Sequence, residues 1–323
     1  MSLSKSEAEA LIPLFTTTKL LNQDQAGRRT TLLGTISSQA ALLILERAPF
    51  PASPTSLSTI PTSLRHLENL GANDVYFWYM AASGQANATL QNDLKINLIY
   101  PCTEKHIKKY SRQGARVVVE TAEIYREFVR PYMKIQRDEG RLNWVWNIIA
   151  GKTEVEDVIF RTPLGEHGDE GFLLLPDLNW DRKTIESLHL LGLVERMDIW
   201  SLRDLRKRHV QWLKDMRGKL IQATVESYPE IEEDQLKLYV HYQPTYYHFH
   251  IHIVHIALEA GATQATGKAI GLDSIISQLQ SMVGDEETGM DTVDLTYTVG
   301  EASELWTEVF EPIKKNKKNE ASQ

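Results

Sequence analysis

The chain has 323 residues, 42% of them hydrophobic and 24% charged, enough to bury a core and too apolar for a disordered chain. Its 35 Lys and Arg against 43 Asp and Glu give a net charge of −8, which argues against coating long duplex DNA or RNA and leaves small ligands in a local basic pocket. A single cysteine, Cys102, excludes an intramolecular disulfide and a four-cysteine zinc site.

The length suggests about two domains. The opening MSLSKSEAEALIPLF carries Glu7 and Glu9 where a signal peptide has a basic start and an apolar run, and no run of 18 apolar residues suggests a membrane span. The expected compartment is the cytoplasm, with the nucleus second. A short helix is predicted over 7–16, with strands over 30–35 and 41–50. The stretch PFPASPTSLSTIPTS (49–63), with its prolines and small polar residues, reads as a loop leading into a helix over 64–70. Strands follow over 74–81 and 94–100, and Thr103 is placed to cap a helix EKHIKKY. Residues 1–112 therefore read as a small α+β domain built on an antiparallel sheet. The polar SRQGAR (111–116) reads as a hinge, and 113–323 as a second domain.

In that second part, 117–136 and 142–149 have helical spacing, and 158–160 and 172–175 read as short strands. A long helix is predicted over 202–228, where Val210, Leu213, Met216 and Leu220 form one apolar face. Strands over 236–242 and 247–256 follow, then a helix (272–282), a strand (292–299) and a last helix (302–314). Lys314, Lys315, Lys317 and Lys318 read as a solvated tail, or more weakly as a nuclear-import signal.

The most informative segment is VHYQPTYYHFHIHIVHI (240–256), which holds five of the ten histidines. His248, His250 and His252 alternate with Phe249, Ile251 and Ile253, so a strand sets the three imidazoles on one face, about 6.5–7 Å apart. Three readings follow from the residues: a half-exposed strand, a metal site, or a nucleophile for phosphorus. Imidazole is a common metal ligand, but no carboxylate or cysteine beside the row suggests itself as a further one. A neutral imidazole whose other nitrogen is held as N–H can attack a phosphoryl group and form a phosphohistidine. His250, flanked on both sides, is the natural nucleophile.

The pattern His248-Phe-His250-Ile-His252-Ile-Val resembles the histidine-triad superfamily. Within it, NDVY (73–76), YPCTEKHIKKY (100–110), NWVWNII (143–149), PDLNW (176–180), SLRDL (201–205) and HYQPTYYHFHIH (241–252) are similar to the scavenger mRNA decapping enzymes over nearly the whole chain. That resemblance implies an α+β fold: a histidine-triad C-terminal domain (113–323) with an antiparallel sheet, and a smaller N-terminal domain (1–112) exchanged in a homodimer and closing over the cap. It implies hydrolysis of residual 7-methylguanosine caps, on a cap dinucleotide or short capped RNA, with no metal and no cofactor. The alternatives are a dinucleoside polyphosphate hydrolase of the same superfamily and a regulatory partner that binds caps or a 5′→3′ exonuclease.

The resemblance also distributes roles. Trp144, opposite Leu178, would stack on the methylated base, whose charge suits an indole face. Glu154 would accept from the guanine edge, with Pro176 and Asp177 shaping the pocket. Lys105 and Lys109, four apart on one helix face, would meet the phosphates, with Asn73 and Tyr76 closing from the same domain. Lys268, His241 and Thr245 would lie near the phosphates, His241 or Thr245 orienting the leaving group. Asn179 stands where the animal pattern has lysine, and His189 where it has an aromatic hydroxyl; both departures bear on affinity more than on activity.

Overall fold

The computed structural model describes residues 5–47, 50, 53–73, 75–83, 94–178 and 180–320. The chain divides into two compact units, Met1–Arg112 and Gln113–Gln323, both mixing helices with antiparallel sheet.

The first unit holds a sheet in the order β1 (Thr16–Gln23), β2 (Arg29–Ile36), β3 (Gln39–Arg47) and β6 (Leu94–Ile99). β3 is the most apolar of these, and its Ala41–Ile44 segment is buried. A separate hairpin pairs β4 (Leu64–Asn73) with β5 (Tyr76–Ser83). Two expectations fail here. The proline-containing stretch forms a helix, Pro54–Ser63, and the segment expected to be helical is β4. The register of β4 slips between Arg65 and Glu68 and again between Asn69 and Gly71. Each extra residue resets the two-residue alternation, so Leu64, Leu67 and Leu70, three apart like a helix face, fit a strand. β1 was not anticipated either: its residues are almost all exposed, so it lacks an apolar signature. The helix Glu104–Tyr110 starts at Thr103 as expected, where Nδ1 of His106 accepts from the Thr103 backbone N–H at 3.1 Å.

The second unit is built on a six-stranded antiparallel sheet in the order β13-β11-β12-β10-β9-β8. These are β8 (Phe160–Arg161), β9 (Phe172–Pro176), β10 (His189–Val194), β11 (Leu236–His241), β12 (His250–His255) and β13 (Ala269–Gly271). One face packs Leu190, Ile251, Ile253 and Leu238 against Leu213, Met216 and Leu220 of the long helix Val210–Ser227. Gly192 lets the helix pack closely there: a Cβ would stand 2.8 Å from Leu220 Cδ2, so the Leu220 side chain would have to move. The other face packs Leu173, Leu175 and Leu193 against Val145, Ile148 and Ile149 of the helix Asn143–Ile149.

The segment expected to be helical from 117 begins instead with β7 (Ala115–Glu120), paired with β14 (Leu295–Gly300). Val117 and Val119 are exposed while Val118 and Glu120 are buried, a strand alternation that the following helical residues masked. The lysine-rich end is helical, Glu311–Glu320, with Lys315 paired to Glu311.

Candidate active site

β12 lies between β10 and β11. The register sets Leu191 and Tyr239 on either side of His252. Continued two residues, the β11 register sets His241 beside His250. His189, two residues before Leu191 on the same face, reaches His252 from the other flank. The face opposite the long helix therefore collects imidazoles from three neighbouring strands.

Ring nitrogens of His241, His250 and His252 lie within 4.8 Å of one another. All three rings are buried, with no more than a tenth of the surface accessible. Nδ1 of His250 donates to the carbonyl oxygen of His248 at 2.7 Å. A carbonyl only accepts, so this bond fixes the tautomer and leaves a lone pair on Nε2. Nε2 of His241 donates to the Thr263 carbonyl at 2.8 Å, and Nδ1 of His252 lies 3.0 Å from Nε2 of His189. Burial dominates the acid–base behaviour: it pushes His250 down to about 3, with His248, His241 and Lys268 adding repulsion, and His241 to about 4. His252 is lowered furthest, by burial and then by His250 and His241, and His189 is lowered by burial against the opposing pull of Asp177. All four rings are neutral near pH 7.

The expected row of three is altered at its first member. His248 precedes β12, and its Nε2 donates to the Val194 carbonyl at 2.8 Å while its ring packs edge-on to Trp146. Strand β10 ends at Val194, and Glu195 N–H bonds to Gly171 instead, at 2.8 Å. With no neighbouring strand to extend, the backbone at His248 leaves the sheet. What His248 supplies to the site is its carbonyl, which orients His250; the third converging ring is His241.

Tyr246 stacks on His250, with centroids 4.3 Å apart and planes at 21°, and meets Trp144 edge-on at 4.9 Å. Burial raises the Tyr246 hydroxyl, and the carboxylates of Asp177 and Glu154 raise it further, so both acids act on this region. Trp144 remains 47% exposed and Leu178 95% exposed, as suits side chains that a ligand would cover. Glu154 is exposed at the start of a tight turn, in the left-handed region with φ 53°. Pro176 ends β9 opposite Leu190, and Asp177 follows with its Oδ2 3.7 Å from Nε2 of His189. A carboxylate does therefore stand beside the histidines, contrary to expectation. A cleft of about 540 Å³ adjoins the histidines through Tyr246 and is lined by Trp144, Thr245 and Lys268 among others. Thr245 is exposed there, and Lys268 donates to the Gln243 carbonyl at 2.5 Å.

The loop carrying Gln243 rests on a fully buried group. Glu120 accepts from Tyr242 Oη and Tyr297 Oη, each at 2.6 Å, from Gln243 Nε2 at 3.1 Å and from Arg203 Nε at 2.8 Å. Neither Glu120 nor Arg203 was singled out from the sequence, and neither was Tyr246 or the contact between His189 and His252. The remaining site candidates, Asn179 apart, lie in the first unit. Asn73 and Tyr76 face each other across the β4–β5 turn, both exposed; Lys105 is exposed on its helix. The side chain of Lys109, and Asn179 altogether, lie outside the described residues.

Two family models match the chain: "Scavenger mRNA decapping enzyme (DcpS) N-terminal" over residues 10–113, and "Scavenger mRNA decapping enzyme C-term binding" over 143–267. An m7GpppX diphosphatase of Schizosaccharomyces pombe is 35% identical over 303 residues, covering 94% of this chain and 95% of that protein. The chain belongs to the scavenger mRNA decapping enzyme family. The m7GpppX diphosphatase of Ascaris suum is 36% identical over 82% of this chain and 85% of its own length. The human m7GpppX diphosphatase is 32% identical over 72% and 66%. The C-terminal match covers Trp144, Glu154, Asp177 and all the converging histidines, and the N-terminal match covers Asn73, Tyr76, Lys105 and Lys109. No helix among the described residues is long and apolar enough to cross a membrane.

Proposed function

We propose that the chain hydrolyses 7-methylguanosine cap dinucleotides and short capped oligonucleotides to 7-methylguanosine monophosphate and a diphosphate-bearing product, through a phosphohistidine on His250. The observation that carries the reading is the bond from His250 Nδ1 to the His248 carbonyl, which leaves Nε2 neutral and available for attack. Nε2 forms a bond to the phosphorus attached to 7-methylguanosine as the bridging P–O bond breaks, and the diphosphate leaves with that electron pair. Water then attacks the same phosphorus, the N–P bond breaks and the imidazole is regenerated. Because His250 keeps its Nδ1–H, the positive charge of the phosphorylated ring is spread toward the carbonyl. His252, neutral and able to take the N–H of His189 on its Nδ1, turns its own Nε2–H to a phosphate oxygen; His241, whose N–H is held by the Thr263 carbonyl, lines the site, and Lys268 supplies a cation.

In the same reading Trp144 and Leu178 hold the methylated base, Glu154 accepts from its edge, and Pro176 and Asp177 shape the pocket. Lys105, Lys109, Asn73 and Tyr76 act on the phosphates and cap from the N-terminal unit, and Asn179, in place of a lysine, weakens the grip on phosphate. The reading includes an exchanged homodimer, a cytoplasmic protein with the nucleus as second compartment, and a 5′→3′ exonuclease as a candidate partner. The test is turnover of a methylated and an unmethylated cap dinucleotide in ¹⁸O water. Faster turnover of the methylated substrate, with one ¹⁸O in the monophosphate, is expected. Equal rates on both would move the assignment to a dinucleoside polyphosphate hydrolase, and binding without turnover to a regulatory cap-binding protein.

A further inference from the structure

Phosphoryl transfer accounts for the tether on His250 but not for those on the other two rings of the cluster. Each of its three rings is held from behind. His241 Nε2 and His250 Nδ1 donate to carbonyls, at 2.8 and 2.7 Å, and His252 Nδ1 meets His189 at 3.0 Å. The nitrogens left over are Nδ1 of His241, Nε2 of His250 and Nε2 of His252. Nε2 of His252 is buried with no hydrogen-bond partner among the described residues. Three neutral imidazoles with their second nitrogens tied to protein acceptors match the donor set and outer support of a three-histidine zinc site.

We propose that His241, His250 and His252 form an inhibitory site for a divalent transition-metal ion of the zinc class, with water or a phosphate oxygen as fourth ligand. Two nitrogens about 2.0–2.1 Å from a tetrahedral zinc stand about 3.4 Å apart. One ring nitrogen from each of the three lies within 4.8 Å of the other two, so the rings must close by about 1 Å or more to hold the ion. Metal binding selects the His252 tautomer with its proton on Nδ1, donated to Nε2 of His189. Asp177, with Oδ2 3.7 Å from that nitrogen, adds a negative charge behind the pair. Lys268 opposes a cation, yet its ammonium group is committed to the Gln243 carbonyl and burial lowers its pKa. The bound ion occupies the Nε2 lone pair that attacks phosphorus, so the metal and the phosphoryl group exclude each other. That inhibitory consequence rests on the proposed function; the metal site does not.

The experiment titrates the full-length chain with zinc chloride by calorimetry and with cobalt chloride by visible absorption. Zinc binding at one ion per chain is expected, with the intense visible bands of tetrahedral cobalt. His241→Gln and His252→Ala should abolish both signals, and His189→Phe, which only removes the support, should weaken affinity about 10–100-fold. His167→Ala, on an exposed turn, serves as the surface control and should change nothing. The unfolding transition of each variant is measured alongside; should His252→Ala not fold, His241→Gln gives the same reading. Cap turnover by the wild-type chain should fall in proportion to zinc occupancy and return on chelation. Binding that survives His241→Gln, or octahedral cobalt spectra, would overturn the site. Full turnover at saturating zinc would overturn its position on the nucleophile. A chain that binds zinc as described yet hydrolyses no cap would count against the proposed function alone.

Discussion

Replacing Arg203 by methionine removes the cation from a fully buried ion pair of the C-terminal unit. Arg203 is fully buried and donates to Glu120 Oε1 at 2.8 Å, the Glu120 carbonyl at 3.0 Å, the Met290 carbonyl at 2.7 Å and the Val293 carbonyl at 2.5 Å. Methionine fills much of the volume but leaves those carbonyls without their donor and Glu120 as a buried carboxylate. Tyr242, Tyr297 and Gln243 still donate to it. Breaking one side of a buried ion pair costs about 3–5 kcal/mol, because the remaining charge stays desolvated. A loss of about 4 kcal/mol moves a urea midpoint by at least about 1 M at ordinary slopes. Urea unfolding followed by tryptophan fluorescence reads this shift. The double variant Glu120→Gln/Arg203→Met should lose less than the sum of the two single losses, by at least about 1 kcal/mol, since it also removes the stranded charge. An Arg203→Met midpoint within about 0.3 M of wild type, or strictly additive losses, would refute this account of the cluster.

Trp144→Ala should raise KM for the methylated cap by about 10–30-fold, the worth of a stacked cation contact of about 1.5–2 kcal/mol, with little change in kcat; steady-state kinetics read both. His248→Asn should lower kcat far less than a change at His250, because the carbonyl that orients His250 survives the substitution; a loss equal to that of His250→Asn would return the His248 side chain to the chemistry. Stability should fall with acid. His241, His248 and His250 have folded values of about 4, 4 and 3, below the unfolded value near 6.5, so the unfolded chain binds more protons between those limits. Each ring that stays neutral contributes a slope of about 1.4 kcal/mol per pH unit as pH falls from 6.5 towards its own folded value, and a melting temperature flat from pH 6.5 to 4.5 would contradict the burial seen here.

The alternation of His250, Ile251, His252 and Ile253 was legible because a strand's two-residue period is independent of its neighbours. The departure of His248 was not, because it depends on where a different strand, His189–Val194, comes to an end. The same holds for the aromatic cover: Tyr246 lies in a loop, where sequence carries no phase, and only the structure brings it onto His250. Glu120 and Arg203 are 83 residues apart, and nothing local in either segment announces a pair. His189 was noticed only as a departure from a pattern, yet it touches His252 through sheet register. In the N-terminal unit the spacing of Leu64, Leu67 and Leu70 gave a helix because the two register slips that reconcile it with a strand arise from the partner Tyr76–Ser83.

The central claim is transient phosphorylation of one imidazole nitrogen. Rapid quenching of the chain during turnover of a cap dinucleotide labelled at the phosphate next to 7-methylguanosine, followed by alkaline peptide mapping, tests it directly. Label should appear on the peptide containing His250, acid-labile and base-stable, and vanish in His250→Asn, which should still bind the cap. Label absent from that peptide during undiminished turnover, or near-normal turnover by His250→Asn, would contradict the mechanism.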